Sequence, residues 1–158
     1  MGFNLILTDP DGVEREIRIA GRADRFDIHV SDKSVAAVMD YKNQNMKKIT
    51  NRAENVLDDP QLLIYARGAN ENSIAAHLPG RTVEQAEWVT LKAELNKGEE
   101  KNIRAHPIEN MPELMEQFSE QIVQDLNALW ARKPMQAFAP DSVCQYCEAR
   151  GICRKGMW

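Results

Sequence analysis

One stretch constrains this chain more than any other: Gly21–Lys42, reading GRADRFDIHVSDKSVAAVMDYK. It predicts two β-strands, the first through 23–30 and the second over 35–41, joined by the turn Ser31-Asp32-Lys33-Ser34. The second run is almost wholly apolar before Asp40, which suits a strand buried on both faces. Side chains two apart on a strand point the same way, so Asp40 and Lys42 share a face and Tyr41 points oppositely. Asp24 sits on the neighbouring strand. Asp27 has the opposite parity to Asp24 and reads as a salt-bridge or turn contact. Gly21, inside an otherwise extended stretch, predicts a bulge or a close backbone approach.

The rest of the chain supports that pair of strands. Residues 3–8 form an apolar run ending at the turn signal Asp9-Pro10-Asp11-Gly12. Alternation then places Val13, Arg15, Ile17 and Ile19 on one face, predicting a hairpin. Residues 43–57 are polar and read as a loop or weak helix, in which Lys47, Lys48 and Arg52 either touch phosphates or simply face solvent. Asp59-Pro60 predicts an N-cap and first turn for a helix running to about Asn70, with Gln61 and Tyr65 four apart on one face. Residues 73–78 and 86–95 read as strands separated by Pro79-Gly80, and 96–100 as a loop. The clearest helix is 111–132, capped by Asn110 with Glu113 as reciprocal partner. Its stripe of Leu114, Phe118, Ile122, Leu126 and Leu129 or Trp130 is expected to lie over the sheet.

Two carboxylates and a lysine converging on one sheet edge are what metal-dependent cleavage of a phosphodiester needs. Hard oxygen ligands suit Mg²⁺, or Mn²⁺ in its place. A bound cation lowers the pKa of its water and neutralises phosphate charge, while Lys42 orients the water or meets the charge that develops. An Asp-x-Lys at a strand end also arises by chance, as an ordinary ion pair. The net charge of −4 over 158 residues argues against a module that holds DNA by electrostatics alone. It argues less against an enzyme whose acids hold cations. The length allows one compact core. No apolar run approaches a membrane span and no leader opens the chain, so a cytoplasmic protein without a membrane partner is expected.

The three cysteines, Cys144, Cys147 and Cys153, cluster near the end as C-x2-C-x5-C. This is a poor disulfide framework and a better metal-ligand set. Zinc with His106 or His77 as fourth ligand is one alternative. A redox role for Cys144-Gln-Tyr-Cys147 is disfavoured, because the motif does not lie between a strand and a helix.

The ordered set GRADRFD, VMDYK, QLLIYA and FAPDSVCQYCEARGICRKGMW resembles the RecB-like branch of the PD-(D/E)XK nuclease superfamily, and most resembles the C-terminal domain of AddB-type helicase–nuclease subunits. The resemblance implies an α/β fold, a mixed sheet flanked by helices, and a metal-dependent DNA exonuclease working with a helicase domain or subunit in double-strand break repair and recombination. It implies catalytic roles for Asp24, Asp40, Lys42, Gln61 and Tyr65, with metal ligation at Asp24, Asp40 and Tyr41. It further implies a [4Fe–4S] cluster on Cys144, Cys147 and Cys153 with a fourth cysteine from an upstream segment. That cysteine and the family's upstream helix are not in the chain. This predicts a C-terminal piece of a larger protein, inactive by itself, or a diverged copy that has lost the cluster. Asn43-Gln44 replaces the family's small residue and glycine, and predicts a differently shaped loop after Lys42. The chain divides into a nuclease core over 1–133 and a cysteine-rich tail over 134–158. The competing reading is a scaffold that keeps the fold to bind DNA or a helicase without cutting.

Overall fold

The computed structural model describes residues 1–9, 11–44, 46–71, 82–91, 103–134, 139, 144–153 and 155. Its first element is the expected hairpin. The Asp9 carboxylate accepts the N–H groups of Asp11 (2.9 Å) and Val13 (2.8 Å), and Gly12 takes φ +80°, which a residue with a Cβ rarely adopts. Strand β1 (Gly2–Thr8) thereby pairs antiparallel with β2 (Glu14–Ala20), Phe3 opposite Ile19 and Leu5 opposite Ile17. Phe3, Leu5 and Leu7 are buried. The face expected on Val13, Ile17 and Ile19 is mostly open, and only Ile19 is half-buried.

A separate four-stranded sheet carries the stretch that opened the sequence reading. It comprises β3 (Arg25–Ile28), β4 (Val35–Lys42), β5 (Thr82–Thr90) and β6 (Arg104–Pro107), in that spatial order. β3–β4 and β5–β6 are antiparallel and β4–β5 is parallel. The mixed sheet with flanking helices is the α/β architecture expected. β3 is shorter than predicted, and Asp24 lies in the bend just before it instead of on it. β4 alternates between buried and half-buried positions, so only one of its faces is fully covered. β5 starts four residues earlier than predicted. Residues 73–80, 92–100 and His77 lie outside the described residues.

A parallel pair needs a crossover. Here the chain leaves β4, forms α1 (Met46–Glu54), a 3₁₀ turn (Val56–Asp58) and α2 (Gln61–Asn70), and later enters β5. The predicted loop or weak helix over 43–57 is therefore mostly helical, anchored by the buried Ile49 and Val56. Asp59 does not cap α2: Pro60 occupies the cap position, and the Asp59 carboxylate is taken by Arg52. α2 buries Leu62, Leu63, Ala66 and Ala69 completely. At about 1.5–3 kcal/mol for each large side chain, this is a main source of its stability. Gly68 lets α2 meet the hairpin backbone, since a Cβ there would stand 2.8 Å from the Gly2 nitrogen.

The last helix, α3 (Met111–Trp130), lays Leu114, Phe118, Ile122 and Leu126 against the core, as its stripe predicts, while Leu129 is exposed. Asn110 stands at its N-cap in a left-handed conformation (φ 56°), with no side-chain cap bond. Glu113 is met by Gln117 instead of closing a capping box. Among the described residues no helix is long and apolar enough to cross a membrane.

Candidate active site

Alternation decides which side chains meet. Asp40 pairs in register with Trp88 and Lys42 with Thr90, so all four point to the sheet face covered by the crossover helices. Gln61 opens α2 directly above them, and Tyr65 follows one turn later.

Gln61 is the hub. Its amide nitrogen donates to Asp40 Oδ1 (2.8 Å) and to the Tyr65 hydroxyl (2.6 Å), and its Oε1 accepts from Lys42 Nζ (2.9 Å). Lys42 Nζ also lies 2.6 Å from Asp40 Oδ2, so the ammonium bridges the buried carboxylate and the Gln61 amide oxygen. Burial pushes the Asp40 carboxyl above its ordinary range; Lys42 opposes the shift, and the charges of Asp24 and Asp59 add to it. Asp24 joins from the bend before β3, its Oδ2 accepting the Tyr41 backbone N–H at 3.0 Å. The exposed Asp24 thus stands beside the main chain that carries the buried Asp40. The Tyr41 side chain serves the opposite face, its hydroxyl 3.4 Å from Arg25, so Tyr41 meets the pair through its main chain.

The structure therefore brings Asp24, Asp40, Lys42, Gln61 and Tyr65 together from three segments of the chain: the bend before β3, β4 and α2. Asp27 stands apart, held by Arg25 at 2.7 Å, which is the salt-bridge role its parity predicts. Gly21 explains itself here: a Cβ at that position would lie 2.6 Å from Cε1 of Tyr65. The predicted close approach is to the site's own tyrosine.

Trp88 and Thr90, which carry no site signal in the sequence, also belong to this region, as does His106, the alternative zinc ligand. Trp88 is fully buried, with Lys42 Nζ 4.7 Å and the Arg52 guanidinium 5.8 Å from its ring centroid. Thr90, also fully buried, meets His106 Nε2 at 3.0 Å, and the other ring nitrogen lies 3.4 Å from Thr50 on α1. Both ring nitrogens of His106 thus face threonine hydroxyls. Burial, and secondarily Arg104, lower its pKa. Period-two alternation alone puts Trp88 and Thr90 on one face, but no sequence signal says which strand lies beside them.

The candidate ligand atoms here are the carboxylate oxygens of Asp24 and of the buried Asp40. That chemistry fits a hard divalent cation. Among the described residues no three His, Cys, Asp or Glu side chains converge as a metal-holding group, so a cation would take two carboxylates and complete its shell with backbone and water. The tail is different. Cys144, Cys147 and Cys153 are free thiols, Cys144 partly covered and the other two exposed. Cys144 is approached by Lys155 Nζ (3.3 Å) and the Ala139 carbonyl oxygen (3.7 Å). Among the described residues the three thiols do not converge as a metal-holding group.

No curated protein and no solved structure matches the chain. A family model does match, over residues 1–154, and superfamily members typically use divalent metal ions. With Asp40 and Lys42 at the end of the interior strand β4 of a mixed sheet and Asp24 beside them, the chain belongs to the PD-(D/E)XK nuclease superfamily.

Proposed function

We propose that the chain is a Mg²⁺-dependent DNA exonuclease domain that hydrolyses phosphodiester bonds as part of a helicase–nuclease in double-strand break repair and recombination. The observation that carries the hydrolytic part is the Gln61 hub, which ties Asp40, Lys42 and Tyr65 into one network beside Asp24. The helicase partner and the repair role are supported by the resemblance of GRADRFD, VMDYK and QLLIYA to the RecB-like branch.

In this reading Asp24, Asp40 and the Tyr41 backbone oxygen hold the cation, which supplies an acidified water and neutralises phosphate charge. Lys42 stands one ion-pair distance from Asp40, and so delivers its ammonium to a phosphate oxygen or to the attacking water. Gln61 keeps Lys42 and Asp40 in fixed orientation, because its amide is fully used between them. Tyr65 fixes the Gln61 rotamer. A scaffold would leave Lys42 paired away from the carboxylates; its pairing with Asp40 favours the enzyme.

The test uses linear DNA with Mg²⁺ or Mn²⁺, together with calorimetric titration of metal into the protein alone. Asp40→Ala should still bind DNA but lose both cleavage and the metal isotherm. Cleavage retained by Asp40→Ala refutes the assignment. For the tail we propose, on the resemblance of the Cys144-x2-Cys147-x5-Cys153 ending to the RecB-like branch, ligation of a [4Fe–4S] cluster with a fourth donor from elsewhere, and no step of the mechanism depends on it. Anaerobic reconstitution with iron and sulfide should then give visible thiolate-to-iron absorption that is lost in Cys147→Ser; a colourless product refutes the cluster.

A further inference from the structure

Trp88 is an odd choice for the middle of a buried strand. It has no exposed surface, and its Nε1 has no hydrogen-bond partner among the described residues. A buried donor left unpaired is a cost that phenylalanine or leucine at the same place would avoid. What indole offers over those residues is the stronger face for a cation. Two cations use it. Lys42 Nζ is 4.7 Å from the ring centroid and the Arg52 guanidinium 5.8 Å.

Those two cations have different attachments. Lys42 belongs to β4 and to the Asp40–Gln61 network; Arg52 belongs to α1 and is held by Asp59 just before α2. One ring therefore touches the catalytic strand and the helix that follows it. Lys42 has four rotatable side-chain bonds and remains partly exposed, so Asp40 and Gln61 alone leave its approach angle free. A flat ring beneath Nζ removes that freedom.

We propose that Trp88 is the positioning residue for Lys42, its indole face holding the ammonium at Asp40 and Gln61 while Arg52 braces the same ring. The proposal rests on the nuclease reading for its kinetic consequence, but not for the contact itself. Two measurements separate these, in a Trp130→Phe/Trp158→Phe background so that Trp88 is the sole indole. In the first, the Lys42 Cε methylene is followed by NMR. Ring current should shift it upfield, and Trp88→Leu should return it to the position of a solvated lysine. An unshifted Lys42 signal, or one that Trp88→Leu leaves in place, overturns the proposal whether or not the protein cuts DNA.

In the second, fluorinated tryptophans that weaken the ring face with little change in volume are incorporated at position 88, and cleavage of a linear DNA is followed. The kcat should fall progressively, by about 2- to 30-fold from tryptophan to the most fluorinated ring, with KM nearly constant. A flat kcat beside an intact Lys42 shift means that the ring positions nothing, and the proposal fails. Cleavage is read in the full-length protein, since this chain is expected to be inactive by itself; if the full-length protein does not cut, the nuclease reading fails separately and the NMR result still decides whether Trp88 holds Lys42.

Discussion

Gly21→Ala is a one-methyl change aimed at the contact between the hairpin–β3 junction and the site. The backbone of Gly21 does not lie in the left-handed region, so alanine carries no conformational strain there. In a free chain the substitution would even help, by about 0.4–1 kcal/mol, because alanine has fewer unfolded conformations to lose. The obstacle is steric. The new Cβ would stand 2.6 Å from Cε1 and 3.1 Å from Cδ1 of Tyr65. That ring is 7% exposed and its hydroxyl is tied to Gln61 at 2.6 Å, so it cannot swing aside without loosening the hub. Overpacking of this kind costs about 1–3 kcal/mol. The net destabilisation is then about 1–2 kcal/mol once the unfolded-state gain is subtracted. For a chain of this size that is a fall of roughly 2–8 °C in Tm. Chemical denaturation of Gly21→Ala measures it, and Tyr65→Leu, which removes the clashing ring atoms, supplies the control. In the Tyr65→Leu background the alanine should be neutral or mildly stabilising. If Gly21→Ala is as stable as the parent, or costs the same with and without the Tyr65 ring, the proposed contact is not what keeps glycine at this position.

Other expectations follow from the same network. Asp40→Asn replaces a carboxylate that burial disfavours by a neutral amide of equal shape. Without metal it should be at least as stable as the parent by thermal denaturation, and it should lose the Mg²⁺-dependent rise in Tm, which for the parent corresponds to about 2.7 kcal/mol at a hundredfold excess over Kd. Lys42→Met leaves Asp40 buried without its cation, and should cost about 1–3 kcal/mol at neutral pH by urea titration. Asp40 then rises further above its ordinary pKa, so this loss should shrink as pH falls and the carboxyl protonates. His106 titrates the other way. Its folded pKa lies below the ordinary 6.5 because burial and Arg104 disfavour the charged ring. Its contribution is complete above that ordinary value and is lost as pH falls through the lowered one. His106→Gln should flatten that part of the stability–pH curve, and a curve unchanged by the substitution would falsify the assignment to His106.

Most of the site could be read before the fold because strand parity and helix spacing are local rules. Asp40 and Lys42 are two apart on one strand, Gln61 and Tyr65 four apart on one helix, and each pair is found on one face. Parity also set Asp27 aside correctly. It worked for Asp24 for another reason than expected: Asp24 is in a bend, where the Tyr41 N–H, not strand alternation, holds its carboxylate. The errors came where tertiary contacts overrode local signals. Asp59 has the identity of an N-cap, but Arg52 takes its carboxylate. Residues 46–54 are too polar to announce a helix, and Ile49 supplies the one fully buried anchor that fixes it on the sheet. Trp88 and Thr90 could not be assigned because a parallel neighbour lies far off in sequence, and nothing local encodes its register.

The parallel pairing of β4 with β5 bears on when this chain can act at all. Asp40 and Lys42 lie on one strand of the pair and Trp88 on the other, and Gln61 comes from the crossover that closes the loop between them. Closing such a loop is among the slow steps of assembling a mixed sheet, since its entropy is lost before its contacts form. A nascent or partly unfolded chain would therefore present Asp24, Asp40 and Lys42 without the groups that orient them. For a member of a nuclease superfamily this is a safeguard inherent in the topology: the proposed site is assembled only with the finished fold and is lost as soon as the fold opens.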